Sequence, residues 1–191
     1  MSSPWASTCS AAAEASVTRD IPERYRWAAD LLNVRPDEQI LEIGCGYGHM
    51  IGLICERLGY GHLTAIDRSE AMIRVARASN KPPLESGKAD ILHQDLLDSK
   101  LPSASFDKAF LFNINAFWMD PVSELAEVRR LLISGGEFFI FHQPPPEHEI
   151  GEFVDRFSLN LTKNGFETIS ANVSVVEGKE MAYVISRPTP R

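Results

Sequence analysis

The sequence predicts an α/β fold: an open, doubly wound, mostly parallel sheet with helices on both faces. Three observations predict it. Strand-like and helix-like segments alternate from residue 38 to residue 142, a pattern that implies right-handed crossovers over a parallel sheet. The first strand runs directly into a glycine-rich turn, GCGYG at 44–48. The chain then closes with two strands joined at Glu177–Gly178, a connection so short that the pair must be antiparallel.

The elements follow in order. Residues 1–19, which include MSSPWASTCSAAAEAS, are rich in Ser and Ala and lack the basic start and apolar stretch of a signal peptide. They read as a disordered tail before a single domain over 20–191. DIPERYRWAADLLNV reads as a helix: Asp20 can cap it, Pro22 suits its first turn, and Tyr25, Ala28, Leu31 and Leu32 recur at helical spacing. QILEIG is a strand, HMIGLICERLG a helix ending at Gly59, and HLTAID a strand. SEAMIRVARASN is a helix capped by Ser69, ADILHQD a short strand, and FDKAFLFN a strand. DPVSELAEVRRLLISGG reads as a helix closed by glycine, and GEFFIFH as a strand. EIGEFVDRFSLNLTKNGF is a helix stopped at Asn164–Gly165, and the terminal hairpin follows.

Composition narrows the function. The chain has 191 residues, 44% of them apolar and 24% charged, which fits one globular domain. Nineteen basic against twenty-six acidic residues give a net charge of −7. That balance argues against a nucleic-acid or anionic-membrane surface. Cys9, Cys45 and Cys55 form no CxxC pair or Cys/His cluster, so neither a zinc site nor a disulfide framework is indicated. No metal is expected. A reducing, cytoplasmic compartment is expected, with the protein a monomer or homodimer.

In an open parallel sheet, ligands bind beyond the carboxyl ends of the strands at the switch point beside the first strand. GCGYG is the turn at that point. Its glycines permit positive φ and let a ligand approach the backbone closely. The loop does not read as a phosphate loop. A Walker loop needs GK[ST], whereas Gly48 precedes His49–Met50. A dinucleotide loop reads GxGxxG, and here His49 stands where the third glycine belongs. Glu42, just before the loop, would repel a pyrophosphate but would suit a ligand bearing an ammonium group. Asp67 ends the second strand nineteen residues after Gly48, where a carboxylate accepts hydrogen bonds from ribose hydroxyls. Asp95 ends ILHQD and can accept a hydrogen bond from an exocyclic amine.

These residues carry a resemblance. ILEIGCGYG resembles motif I of the class I S-adenosylmethionine-dependent methyltransferases, an acid followed by GxGxG. AIDRSEAMI and HQDLLD resemble the two segments that come next in that family. FDKAFLFN and VRRLLISGGEFFIF resemble its later strands, with Ile133–Ser134 in place of the usual Lys-Pro. The resemblance covers roughly residues 22 to 187 and implies a Rossmann-like, seven-stranded sheet whose last strand is antiparallel. It implies S-adenosyl-L-methionine as cofactor. Gly44, Cys45, Gly46 and Gly48 would line its methionine half, with Glu42 stabilising that end. Asp67 would take the ribose hydroxyls, Arg68 and Met72 would flank the adenine, and Asp95 with Leu96 would meet the adenine amine. Asn113, at the end of the fourth strand, joins the cofactor contacts.

Transfer from a sulfonium needs alignment and exclusion of water more than a dedicated catalytic group. The candidates by topology are Asn113, Asn115, Phe117 and Trp118 after the fourth strand, and His142, Glu147 and His148 after the fifth. His142 is the candidate base. The Asn/Asp-Pro-Pro-aromatic motif of nucleobase and glutamine amino-methylases is missing from NINAFW. His49 and His93 read as structural or cofactor-side residues. A small-molecule acceptor is expected, with residues 20–35, and Tyr25–Trp27 above all, covering the cofactor or acceptor. Two other readings stay open: a noncatalytic S-adenosylmethionine-binding or regulatory protein of the same fold, and a nicotinamide-dependent oxidoreductase.

Overall fold

The structure, a computed structural model, describes residues 21–144 and 149–190. The tail over 1–19, Cys9, the Asp20 cap, Glu147 and His148 lie outside the described residues. Along the chain come α1 (Glu23–Leu32), β1 (Gln39–Ile43), α2 (His49–Arg57), β2 (His62–Asp67), α3 (Glu70–Ser79), α4 (Lys81–Glu85) and β3 (Ala89–His93). Next are β4 (Phe106–Phe112), a 3-10 turn (Asn115–Trp118), α5 (Val122–Leu131), β5 (Leu132–His142), α6 (Ile150–Lys163), β6 (Phe166–Val176) and β7 (Lys179–Pro188).

The strands form one seven-stranded sheet in the order β3-β2-β1-β4-β5-β7-β6. β1 to β5 pair in parallel, and β7 runs antiparallel to both β5 and β6. The mostly parallel sheet with an antiparallel last strand is therefore present as expected. From β1 the chain steps outward to β2 and β3, then returns to the other side of β1 to lay down β4. That reversal opens a crevice at the carboxyl ends of β1 and β4.

Alternation along each strand divides the core into two layers. Ile40, Ala65, Phe110, Phe139 and Phe141 face α1, α2 and α3, where Ala28, Leu32, Ile51, Ile54 and Ile73 meet them. Leu41, Ile43, Leu111, Phe138 and Ile140 face α5 and α6, meeting Leu125, Val128, Phe157 and Leu161. Lys108, buried within β4, is fully partnered: its Nζ donates to the carbonyls of Leu32 and Asn33 and to Glu38 Oε2 at 2.9 to 3.0 Å. This ties the end of α1 to the amino end of the sheet.

The structure departs from the sequence expectations at several boundaries. Pro22 sits at the N-cap of α1 rather than in its first turn. α2 ends at Arg57, because Leu58 is already extended (ψ 133). Gly59 instead donates its N–H to the Pro36 carbonyl at 2.9 Å. Glycine does not close α5: the helix stops at Leu131, and Leu132 already belongs to β5. Gly135 (φ 80) and Gly136 serve a bulge, where the β4–β5 register slips between Phe106 and Lys108. A Cβ on Gly136 would stand 3.1 Å from the carbonyl oxygens of Asp107 and Ile133. α4, with Pro in its first turn, and the 3-10 turn lack the long periodic pattern that marks the other helices.

Candidate functional site

The glycine loop is bound to the sheet by its own backbone. Gly44 N and Cys45 N both donate to the Ile66 carbonyl, at 2.8 and 3.0 Å. Gly44, Gly46 and Gly48 all take positive φ, at 70, 52 and 73 degrees. At Gly44 and Gly48 there is also no room: a Cβ would overlap the Ile114 side chain at the first and stand 2.7 Å from Asn80 Nδ2 at the second. Buried Asn80 donates to the Gly48 carbonyl at 3.0 Å and to the Ala76 carbonyl at 2.9 Å. It holds the loop's end against α3, a role that a helix-end Asn does not advertise in sequence.

Asp67 completes the loop. Its Oδ2 accepts from Gly46 N and its Oδ1 from Ser69 N, each at 2.8 Å. Ser69 then caps α3 by accepting from Met72 N at 3.4 Å. An ionised carboxylate has about four acceptor sites, so two remain for a ligand's hydroxyls. Asp95 lies two residues beyond the end of β3, and its Oδ1 accepts from Leu97 N at 3.1 Å. Asn113 adopts φ 57 after β4; its N–H donates to the Phe141 carbonyl and its Oδ1 accepts from Gln143 N at 2.7 Å.

Between these elements lies a cleft of about 550 Å³, lined by residues that include Gly44, Asp67, Arg68, Asp95, Leu96 and Asn113. Those six come from the sequence-predicted set. Asn115 and Phe117, named as acceptor-side candidates, line it too. Ile43, Ile66, Gln94, Leu97, Ile114, Ala116 and Glu124 complete the wall and went unnamed because residues of these types carry no signal of their own at such positions.

Other expected residues stand outside the lining. Gly46, Gly48 and Cys45 shape the loop from behind. The Cys45 thiol is pushed upward, first by burial and then by Glu42 and Asp67, so it stays neutral. Half-buried Met72 contributes its capped N–H to α3 and no surface to the cleft. Trp118 turns away, with its ring 3.9 Å from Phe153 and Arg156 above it. His142 is 5% exposed, stacked 4.3 Å from Phe153, and neither ring nitrogen has a hydrogen-bond partner. Burial pulls its pKa down to about 4, so it is neutral at physiological pH.

Glu42 lies beneath the loop and 4% exposed, paired in register with Ala65 and Phe110. Its Oε2 has no hydrogen-bond partner. Burial, and secondarily Asp67, push its pKa up to about 8. A buried carboxyl group with an orphaned oxygen, an acid with free acceptor sites and a Cβ-free backbone approach fit a cationic ligand bearing a ribose. Among the described residues no group of three His, Cys, Asp or Glu side chains could hold a metal ion, and no helix is long and apolar enough to cross a membrane.

Known proteins resemble this chain in sequence and in fold. The family model described as a methyltransferase domain matches residues 41–140. The uncharacterized methyltransferase YdaC of Bacillus subtilis (strain 168) is 31% identical over 149 residues, covering 75% of this chain and 80% of that protein. Nocamycin O-methyltransferase of Saccharothrix syringae is 30% identical over 118 residues, covering 61% of this chain but 42% of that protein. The crystal structure of a SAM-dependent methyltransferase from Aquifex aeolicus superposes with a TM-score of 0.71 at 19% identity, over 86% of this chain and 89% of that one, a likeness of fold.

Proposed function

The chain belongs to the methyltransferase-domain family as a class I enzyme dependent on S-adenosylmethionine, and on that premise we propose that it methylates a small-molecule acceptor. The observation that carries the proposal is the cleft at the β1–β4 switch point, where Gly44, Asp67, Asp95 and Asn113 converge. When bound, S-adenosylmethionine supplies a methyl group already activated by its sulfonium. The chain's own residues then have to bind, orient and exclude water. In this reading Asp67 accepts the ribose hydroxyls, Arg68 and Leu96 flank the base, Asp95 accepts from its amine, and the glycine loop borders the methionine portion.

The acceptor side lies beyond Gly44 and Asn113. Tyr25, near the start of α1, reaches it: its ring centroid is 4.7 Å from His49 and 4.8 Å from Phe112. The body of α1 is fixed lower down, with Ala28, Ala29 and Leu32 fully buried. The cover expected from residues 20–35 therefore narrows to this aromatic corner. The acidic balance of −7 supports a small acceptor over a polyanionic polymer. Binding calorimetry with S-adenosylmethionine and S-adenosylhomocysteine tests the donor site, and binding of neither would overturn it. Incubation with methyl-labelled donor and a metabolite extract tests transfer. Label appearing in small molecules is the expected result; donor binding without transfer would make the protein a noncatalytic binder.

A further inference from the structure

We propose that Glu42 is a proton-exchanging cation sensor: it carries a proton in the ligand-free protein and surrenders it to solvent when a cationic group of the donor enters the cleft. The inference rests on the donor-site reading above and extends it to the proton inventory of binding.

Geometry assigns the proton. Glu42 is buried and Asp67 lies close enough to add to the cost of a charge on it, and like charges in one enclosed site favour a proton on the more buried acid. Asp67 is half-exposed and accepts two backbone N–H groups at 2.8 Å. Glu42 is buried and its Oε2 accepts nothing. Neither residue forms a salt bridge with any described Lys, Arg or His.

Among the described residues, the elements around Glu42 bring no Lys or Arg into a salt bridge with it. β2 contributes Asp67 at its end, and β4 contributes the apolar Phe110 opposite. The loop contributes the Cys45 thiol, held neutral, and α2 contributes the Cys55 thiol, likewise pushed up by burial. Lys88 is committed to the carbonyls of Cys55 and Leu58. His49 at the start of α2 and Tyr25 on α1 stack against each other at the same end of this layer. The positive charge that would let Glu42 ionise is therefore supplied by the ligand, as an ammonium or as a sulfonium.

Calorimetry of the full chain at pH 7 in phosphate and in Tris, whose ionisation enthalpies differ, reads the proton directly. Titration with S-adenosylmethionine should release a substantial fraction of one proton per site. Apparent affinity should rise toward a limit of about tenfold per pH unit below pH 8 and flatten above it. Glu42→Gln should bind with no comparable release, and its thermal melt confirms folding. S-adenosylhomocysteine separates the two sources: equal release assigns the proton to the shared ammonium, and release with S-adenosylmethionine alone assigns it to the sulfonium. Binding with identical heats in both buffers, or undiminished release from Glu42→Gln, overturns the proposal and leaves the donor site standing. Absence of binding by either ligand overturns both. The wild-type measurement decides the matter even for a variant too weak to titrate.

Discussion

Asp67 holds Gly46: its Oδ2 accepts the Gly46 N–H at 2.8 Å while its Oδ1 accepts the Ser69 N–H at the same distance. One carboxylate thus fixes the glycine loop, starts α3 and retains acceptor sites facing the cleft. Loss of that side chain removes the loop anchor and, in the proposed reading, the partner of two ribose hydroxyls. Asp67→Ala should weaken S-adenosylmethionine binding by about 1–3 kcal/mol. Asp67→Asn, which keeps one acceptor oxygen, should weaken it less. Titration calorimetry of the two variants orders the losses; equal affinity across all three proteins contradicts the assignment.

Asn80 supports the other end of the loop through the Gly48 carbonyl. Asn80→Ala leaves two carbonyls short of a donor in a buried site and should cost about 1–3 kcal/mol of folding stability. It should also reduce donor affinity, because the loop is no longer preset. Urea unfolding paired with a donor titration measures both. A stability loss with unchanged donor affinity would show that Asn80 serves the helix alone.

Glu42 makes the ligand-free fold sensitive to alkali. Its folded pKa of about 8 lies above the ordinary glutamate value of 4.5, so the stability linked to its protonated form is complete below 4.5 and is lost as pH rises through 8. The slope approaches about 1.4 kcal/mol per pH unit in that window. Glu42→Gln should therefore match wild type near pH 4.5 and exceed it near pH 8. Melting temperatures at the two pH values test this, and a gap that does not widen with pH counts against it.

His142 gives the opposite slope. Its folded pKa of about 4 lies below the ordinary histidine value of 6.5, so the stability of the neutral buried ring is present above 6.5 and lost as pH falls through 4. Replacement by Phe, which keeps the stack on Phe153, should flatten the acid limb of the stability profile. A group that titrates near 4 also adds no limb to turnover between pH 6 and 8. The kcat profile of His142→Gln should thus keep the wild-type shape there; a shape change would return His142 to the reaction as a base.

In the proposed reading Tyr25, packed against His49 and Phe112, borders the acceptor. Tyr25→Ala should raise the acceptor KM severalfold while donor affinity stays within twofold, since no α1 residue lines the donor cleft. Steady-state kinetics with each substrate varied in turn separate the two effects.

Much of this was legible in the sequence because it depends on local backbone chemistry. Alternating apolar residues in QILEI, HLTAID and FDKAFLF announce strands, and each occupies one in the sheet. Glu177 and Gly178, both at positive φ, turn the terminal hairpin as their types suggest. The order Glu42, GxGxG, Asp67 and Asp95 pointed to the carboxyl ends of the strands, and Gly44, Asp67 and Asp95 line the cleft there. Less legible were features that depend on what lies across from a residue. Gly135–Gly136 looks like a helix stop in one dimension, and only pairing with β4 reveals a bulge.

The sequence by itself determined the sheet, its switch point and the chemical character of the donor site, because periodicity and glycine spacing act within a few residues of themselves. Tertiary structure alone decided which of the named side chains meet. Parity along β5 sends His142 to the α6 layer, where desolvation keeps it neutral against Phe153. Parity along β1 buries Glu42 beside Asp67, with no salt-bridge partner among the described residues. Burial and the distance between charges set both protonation states, and these are properties of packing that no run of residues encodes alone.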